Sequence, residues 1–118
     1  MSQDRKTIGV TKANAAALDV LIRAGEFASE LDAAKFAMAF AIQRGVPPGY
    51  TEGADTKWNV GSVDADGSLR SLLEALYPTA DGPYRQMEHL INEGIRLLVP
   101  TPGGAPPDVF EALFQADG

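Results

Sequence analysis

Cysteine is absent from this 118-residue chain, and histidine occurs once, at position 89. Without thiols there is no disulfide framework, no thiolate zinc or iron–sulfur site and no cysteine nucleophile. One histidine leaves any transition-metal site almost entirely to carboxylates, a donor set that disfavours zinc. Long apolar runs are also missing: none approaches the roughly 18 residues that a membrane helix needs. Residues 1–6 lead into no apolar run of signal-peptide type. A cytoplasmic chain with no membrane association is therefore expected. Neither a Gly-rich loop ending in Lys-Ser/Thr nor a Gly-x-Gly-x-x-Gly run is present, which removes the common phosphate and dinucleotide cradles.

Positive charge is scarce as well. Ten Lys/Arg face sixteen Asp/Glu, a formal net charge of −6. Residues 1–59 balance at seven of each sign, whereas residues 60–118 hold three basic groups against nine acidic ones. Neither half carries the basic footprint of a strong nonspecific nucleic-acid binder. What is plentiful is ordinary globular composition: 45% hydrophobic and 22% charged residues, enough for the core of one domain.

Lys6-Thr7-Ile8-Gly9-Val10-Thr11 alternates in the strand manner, with Ile8 and Val10 on one face. Thr11 then caps a helix over 12–24, with Leu18, Leu21 and Ile22 as its apolar stripe and Gly25 as a left-handed end. Ser29 caps a second helix over 30–44. Its apolar residues, from Leu31 through Phe36, Met38 and Phe40 to Ile42, cover more than one face, the pattern of a buried helix. Gly45 and Pro47-Pro48 end it. Residues 46–67 show no helical period and read as a long loop anchored by Trp58 and Val60. Helices follow over 69–77, with Leu69, Leu72, Leu73 and Leu76 at core spacing, and over 83–99, where Gly94 allows close approach. Residues 100–107 read as a Pro/Gly linker. A last helix over 109–116 offers Phe110, Leu113 and Phe114.

The expected fold is thus α+β, mostly α, in a single domain: a strand–helix–helix unit over 5–45 followed by about three further helices. One strand cannot stand alone, because its N–H and C=O groups need a ladder partner. That partner is either a second chain or, within one chain, the segment Trp58-Asn59-Val60.

The inventory for chemistry is thin. His89 sits on a helix and reads as a surface or packing residue. Asp64-Ala65-Asp66-Gly67 has part of a calcium-loop pattern. Its first position would be Ser62 and its last Leu73, so both terminal carboxylates are missing. An Asp-Gly turn feeding a helix cap is the expected reading. No catalytic residue, metal or cofactor is expected.

Taken together, Lys6-Thr7-Ile8-Gly9-Val10, then Leu18-Asp19-Val20-Leu21-Ile22 with Gly25-Glu26-Phe27, then Ser29 with Asp32-Ala33-Ala34, resemble the ribbon-helix-helix family of bacterial regulators. The resemblance covers residues 5–45. It implies a homodimer, or a higher homo-oligomer, in which one strand from each chain pairs into a ribbon that enters the DNA major groove. The dimer interface it implies comprises Ile8 and Val10 of the strand with Leu31, Met38 and Phe40 of the second helix. The implied DNA-binding residues are Arg5, Lys6 and Thr7 along the strand, and Ser29 at the helix end that anchors phosphate. Gly9 has no side chain with which to read a base, and Glu26, Glu30 and Asp32 oppose phosphate near Ser29. In related regulators a C-terminal extension binds a protein or effector, and an acidic one suits a basic partner. Two functions are consistent with these residues. One is a dimeric sequence-specific DNA-binding regulator. The other is a non-enzymatic interaction subunit that keeps the fold without binding DNA.

Overall fold

The computed structural model describes residues 4–99 apart from Glu26. A four-residue strand, β1 (Thr7–Val10), leads into α1 (Lys12–Gly25) and α2 (Glu30–Gln43). A second strand, β2 (Asp55–Asn59), and a single helical turn, α3 (Val60–Val63), come next. The described chain closes with α4 (Ser68–Leu76) and α5 (Pro83–Leu98). The architecture is mostly helical with one two-stranded antiparallel sheet. No described helix is long and apolar enough to cross a membrane.

The helix starts follow from the capping chemistry. The Thr11 hydroxyl accepts the Asn14 N–H at 3.1 Å, and the Ser29 hydroxyl accepts the Asp32 N–H at 3.1 Å. Gly45, at φ +75°, turns the chain out of α2, and the Val46 N–H returns to the Ala41 carbonyl at 3.1 Å. Gly25 differs from expectation. It is the last residue of α1 rather than a left-handed residue beyond it, and its missing side chain leaves room for the Phe27 ring.

The expectation for residues 46–67 needs a larger correction. That stretch holds β2 and α3, and β2 is the ladder partner of β1, with Thr7 opposite Asn59 and Ile8 opposite Trp58. The register slips between Ile8 and Gly9, so that Gly9 faces Thr56 and Lys57 is the extra residue of a bulge. Periodicity missed β2 because Asp55-Thr56-Lys57-Trp58-Asn59 has only Trp58 half-buried and no apolar alternation. The strand is held by its neighbour, not by its own pattern.

The core surrounds α5, which packs against α2, β1, α1 and α4. Ala33, Ala34, Ala37 and Ala41 of α2 are fully buried, and a Cβ at Gly94 would run into the Ala37 carbonyl. Small side chains on both helices therefore let two backbones approach closely. This contact within one chain accounts for much of the alanine-rich, all-round apolar character of α2. Ile8, Val10, Met38 and Phe40, expected at a dimer interface, are buried by their own chain, and Leu31 is half-buried. The terminal helix expected over 109–116 lies outside the described residues.

Gly94→Ala should cost about 3 kcal/mol, because a methyl group meets backbone that cannot step aside. Gly61→Ala, where a Cβ meets open space, should stay within about 0.5 kcal/mol. Urea unfolding of the two variants beside the parent checks the pair.

Candidate functional site

Along α5, three polar side chains are buried: Gln86, Glu88 and Asn92. Two of them, Glu88 and Asn92, are one helical turn apart and lie against the edge of β1 that β2 does not cover. The Gly9 N–H donates to Glu88 Oε2 at 2.9 Å, and Asn92 Nδ2 donates to the Gly9 carbonyl at 3.0 Å. Asn92 Oδ1 accepts the Thr11 N–H at 3.1 Å and Asn14 Nδ2 at 2.8 Å. The remaining Asn92 N–H reaches the Glu88 carbonyl at 2.8 Å. Both amide hydrogens and both acceptor positions of Asn92 are thereby satisfied. On the other face of Gly9, a Cβ would collide with the Asp55 carbonyl, which explains a glycine in the middle of a strand.

Arg5, expected to read bases, sits at this junction. Its guanidinium lies 3.2 Å from Glu88 Oε2, and its Nε donates to the Thr7 carbonyl at 3.4 Å. Burial is the main influence on Glu88 and pushes its carboxyl above the usual range, against the pull of the Gly9 N–H and the Arg5 and Arg85 charges.

The other expected DNA-contacting residues are partly engaged too. The Thr7 and Thr56 hydroxyls are 3.3 Å apart, and the Ser29 hydroxyl is committed to its cap. Lys6 is exposed, while its carbonyl accepts the Val60 N–H at 3.0 Å. An ion pair between Lys57 and Glu30 ties β2 to the N-terminus of α2. The Ser29 end of α2, with Glu30, thus lies beside β2, and the Thr7 and Thr56 hydroxyls meet across the two strands.

Two carboxylates cap helices from outside their first turn, Asp64 as the Asp-Gly turn leads one to expect and Asp4 from a position that the sequence conceals. Gly82, which precedes α5, offers no capping side chain, and Asp4 supplies one from the far end of the chain. It accepts the Tyr84 N–H at 3.0 Å and the Arg85 N–H at 2.9 Å. Asp64 accepts the Leu69 and Arg70 N–H groups at 2.9 Å each and the Tyr84 hydroxyl at 3.0 Å. Asp66 accepts the Ser68 N–H at 3.0 Å, and this contact is the main reason its carboxyl lies below the usual range. In Asp64-Ala65-Asp66-Gly67 both carboxylates therefore serve the start of α4. Among the described residues no group of three or more His, Asp or Glu side chains is arranged to hold a metal ion.

His89 lines an open groove of about 420 Å³ with Thr11, Asn14, Tyr50 and Arg96, and its ring abuts Gly49. Among the described residues no carboxylate or hydroxyl is hydrogen-bonded to the ring to orient it. Comparison with protein-family models, curated proteins and solved structures gives no match.

The surface of α4 departs most from expectation. Leu72 and Leu76 were expected in the core. They are 45% and 48% exposed, and only Leu73 on this helix is fully buried. Leu76 also borders a second groove, of about 390 Å³, walled by Ile42, Val46, Pro47, Pro48 and Pro78. Four leucines at helical spacing marked an apolar helix. The spacing did not reveal that its stripe is wider than the surface available to cover it.

Removing the amide in Asn92→Ala strands a strand carbonyl and the Thr11 N–H, and should cost about 3 kcal/mol in urea unfolding. Glu88→Gln tests the carboxyl. A carboxyl whose pKa is higher folded than unfolded contributes more stability as pH falls through its folded value, with the contribution complete below the unfolded one. The stability of the parent relative to Glu88→Gln should therefore rise on going from about pH 8 to about pH 5. A flat or falling difference contradicts the assignment.

Proposed function

We propose that this chain is a non-enzymatic protein-interaction subunit that meets its partner through the exposed leucine face of α4 and the apolar groove beside it. The exposure of Leu72 and Leu76, one helical turn apart on a strongly amphipathic helix, carries the reading. Single exposed leucines are ordinary. A neighbouring pair continuous with a groove of proline, valine and isoleucine is the kind of patch that marks interaction surfaces. The partner this face suits presents apolar side chains to it. The thin catalytic inventory is consistent with a binding role. The burial of Ile8, Val10, Met38 and Phe40 inside one chain makes these residues weaker candidates for the contact surface.

DNA binding is the second reading, favoured by the Ser29 helix end lying beside β2, whose Thr56 hydroxyl meets that of Thr7. Lys6 would supply a phosphate contact there, while Lys57 is paired with Glu30, whose carboxylate opposes phosphate. The ion pair of Arg5 with Glu88 and the hydrogen-bonding of the Thr7 and Ser29 hydroxyls count against it.

Leu72→Glu/Leu76→Glu should stay within about 1 kcal/mol of the parent in stability, because both side chains are already half in water. The variant should fail to retain a partner that co-purifies with the parent and rebinds it as purified components. Retention of that partner by the variant sinks the interaction reading. For the DNA reading, fluorescence anisotropy on a selected duplex should weaken steeply between about 50 and 200 mM salt. It should weaken again in Lys6→Ala.

A further inference from the structure

We propose that the open edge of β2 pairs with the same strand of a second copy of this chain, antiparallel and centred on Thr56, so that two copies share one four-stranded sheet. The surface is separate from the α4 face, and the inference does not depend on that reading.

The backbone defines the edge. Glu88 and Asn92 close the second edge of β1, whereas among the described residues nothing pairs with the outer edge of β2. Gly9 lies opposite Thr56 and gives both its backbone groups to α5. Opposite residues of this kind turn their N–H and C=O groups away from each other, so those of Thr56 point outward. The surroundings of Gly9 agree. The Asp55 carbonyl faces it, and a trans peptide turns the Thr56 N–H the opposite way. Thr56 thus offers a donor and an acceptor at one exposed point of the strand, the pair that an antiparallel neighbour takes up.

Charge selects the occupant and the register. Centring two antiparallel copies on Thr56 sets Thr56 against Thr56, and Asp55 of each copy opposite Lys57 of the other. Both flanking pairs are opposite in sign, and they occupy the closer, non-hydrogen-bonded positions of the ladder. Asp55 has no ionic partner among the described residues, and Lys57, which meets Glu30 of its own chain, would stand between two carboxylates. Centring on Asp55 or on Lys57 instead would place like charges face to face. The pairing also stops at two copies. It consumes both β2 edges, and the edges that remain belong to β1, where α5 covers them. The bulge at Lys57 keeps the paired stretch short, so the dimer should be reversible.

The test exchanges the two charges in the full chain. Asp55→Lys makes both flanking pairs positive against positive, and Lys57→Asp makes both negative against negative. A mixture of the two variants restores opposite signs in the mixed dimer. Both positions are exposed, so each variant should keep the fold. Sedimentation from micromolar to millimolar concentration should show the parent as a reversible dimer, and each variant alone dimerising about tenfold more weakly or worse. Native mass spectrometry of the mixture should recover a dimer with one copy of each variant. Thr56→Pro, which removes the outward N–H and leaves the β1 ladder alone, should also abolish the parent dimer. A parent that stays monomeric overturns the proposal, whether the edge then stays open or takes a strand from another protein. A dimer indifferent to both charge substitutions overturns it as well, because the copies then meet elsewhere. So does a mixture that dimerises no better than its components.

Discussion

A two-stranded sheet leaves each strand with one open edge, and the structure of this chain depends on how the open edge of β1 is closed. Glu88 and Asn92, one turn apart on α5, take the place of a third strand by bonding the N–H and the C=O of Gly9. Unpaired backbone groups at this depth would be costly, so the strand, the start of α1 and the central helix are fixed relative to one another by a few side-chain atoms. The same contacts require a carboxylate in the interior, and the Arg5 guanidinium beside it partly offsets the cost of burying that charge. A residue with the chemistry to read guanine is thereby drawn into holding the fold.

The second constraint is distance. Gly94 and the alanines of α2 let the α2 and α5 backbones approach closely. Dispersion contacts between close backbones replace the larger side chains that such a core would otherwise need. Asp4 and Asp64 then finish helix ends whose preceding residues, Gly82 and Gly67, have no capping side chain. In both cases the cap comes from outside the helix's own first turn. The start of α5 is therefore stabilised by the tertiary fold, whereas that of α4 is capped by the neighbouring carboxylates Asp64 and Asp66.

With the apolar faces of α1, α2 and α5 consumed by this packing, α4 is left at the margin. It contributes Leu73 to the core and presents Leu72 and Leu76 outward, next to the proline-walled groove at the end of α2. The charge of the chain does not compensate with a basic surface, since residues 60–118 carry nine acidic groups against three basic ones. On the interaction reading, apolar contact at Leu72 and Leu76 is what the described part of this half offers a partner.

The sequence by itself determined the local features. Thr11 and Ser29 as caps, the end of α2 at Gly45, the long helix beginning at Pro83 and the close approach at Gly94 all follow from side-chain chemistry within a turn or two. Its excess of acid and its lack of thiols were equally legible. Only the tertiary structure decided what each element meets. Lys57, Trp58 and Asn59 became a strand because β1 lay beside them, Arg5 became the partner of a buried carboxylate, and Leu72 and Leu76 stayed in water. Local chemistry fixes where backbone groups are capped and which faces are apolar. Hydrogen-bond partners some eighty residues apart, and the limited area of core available to each apolar face, are set only when the helices pack.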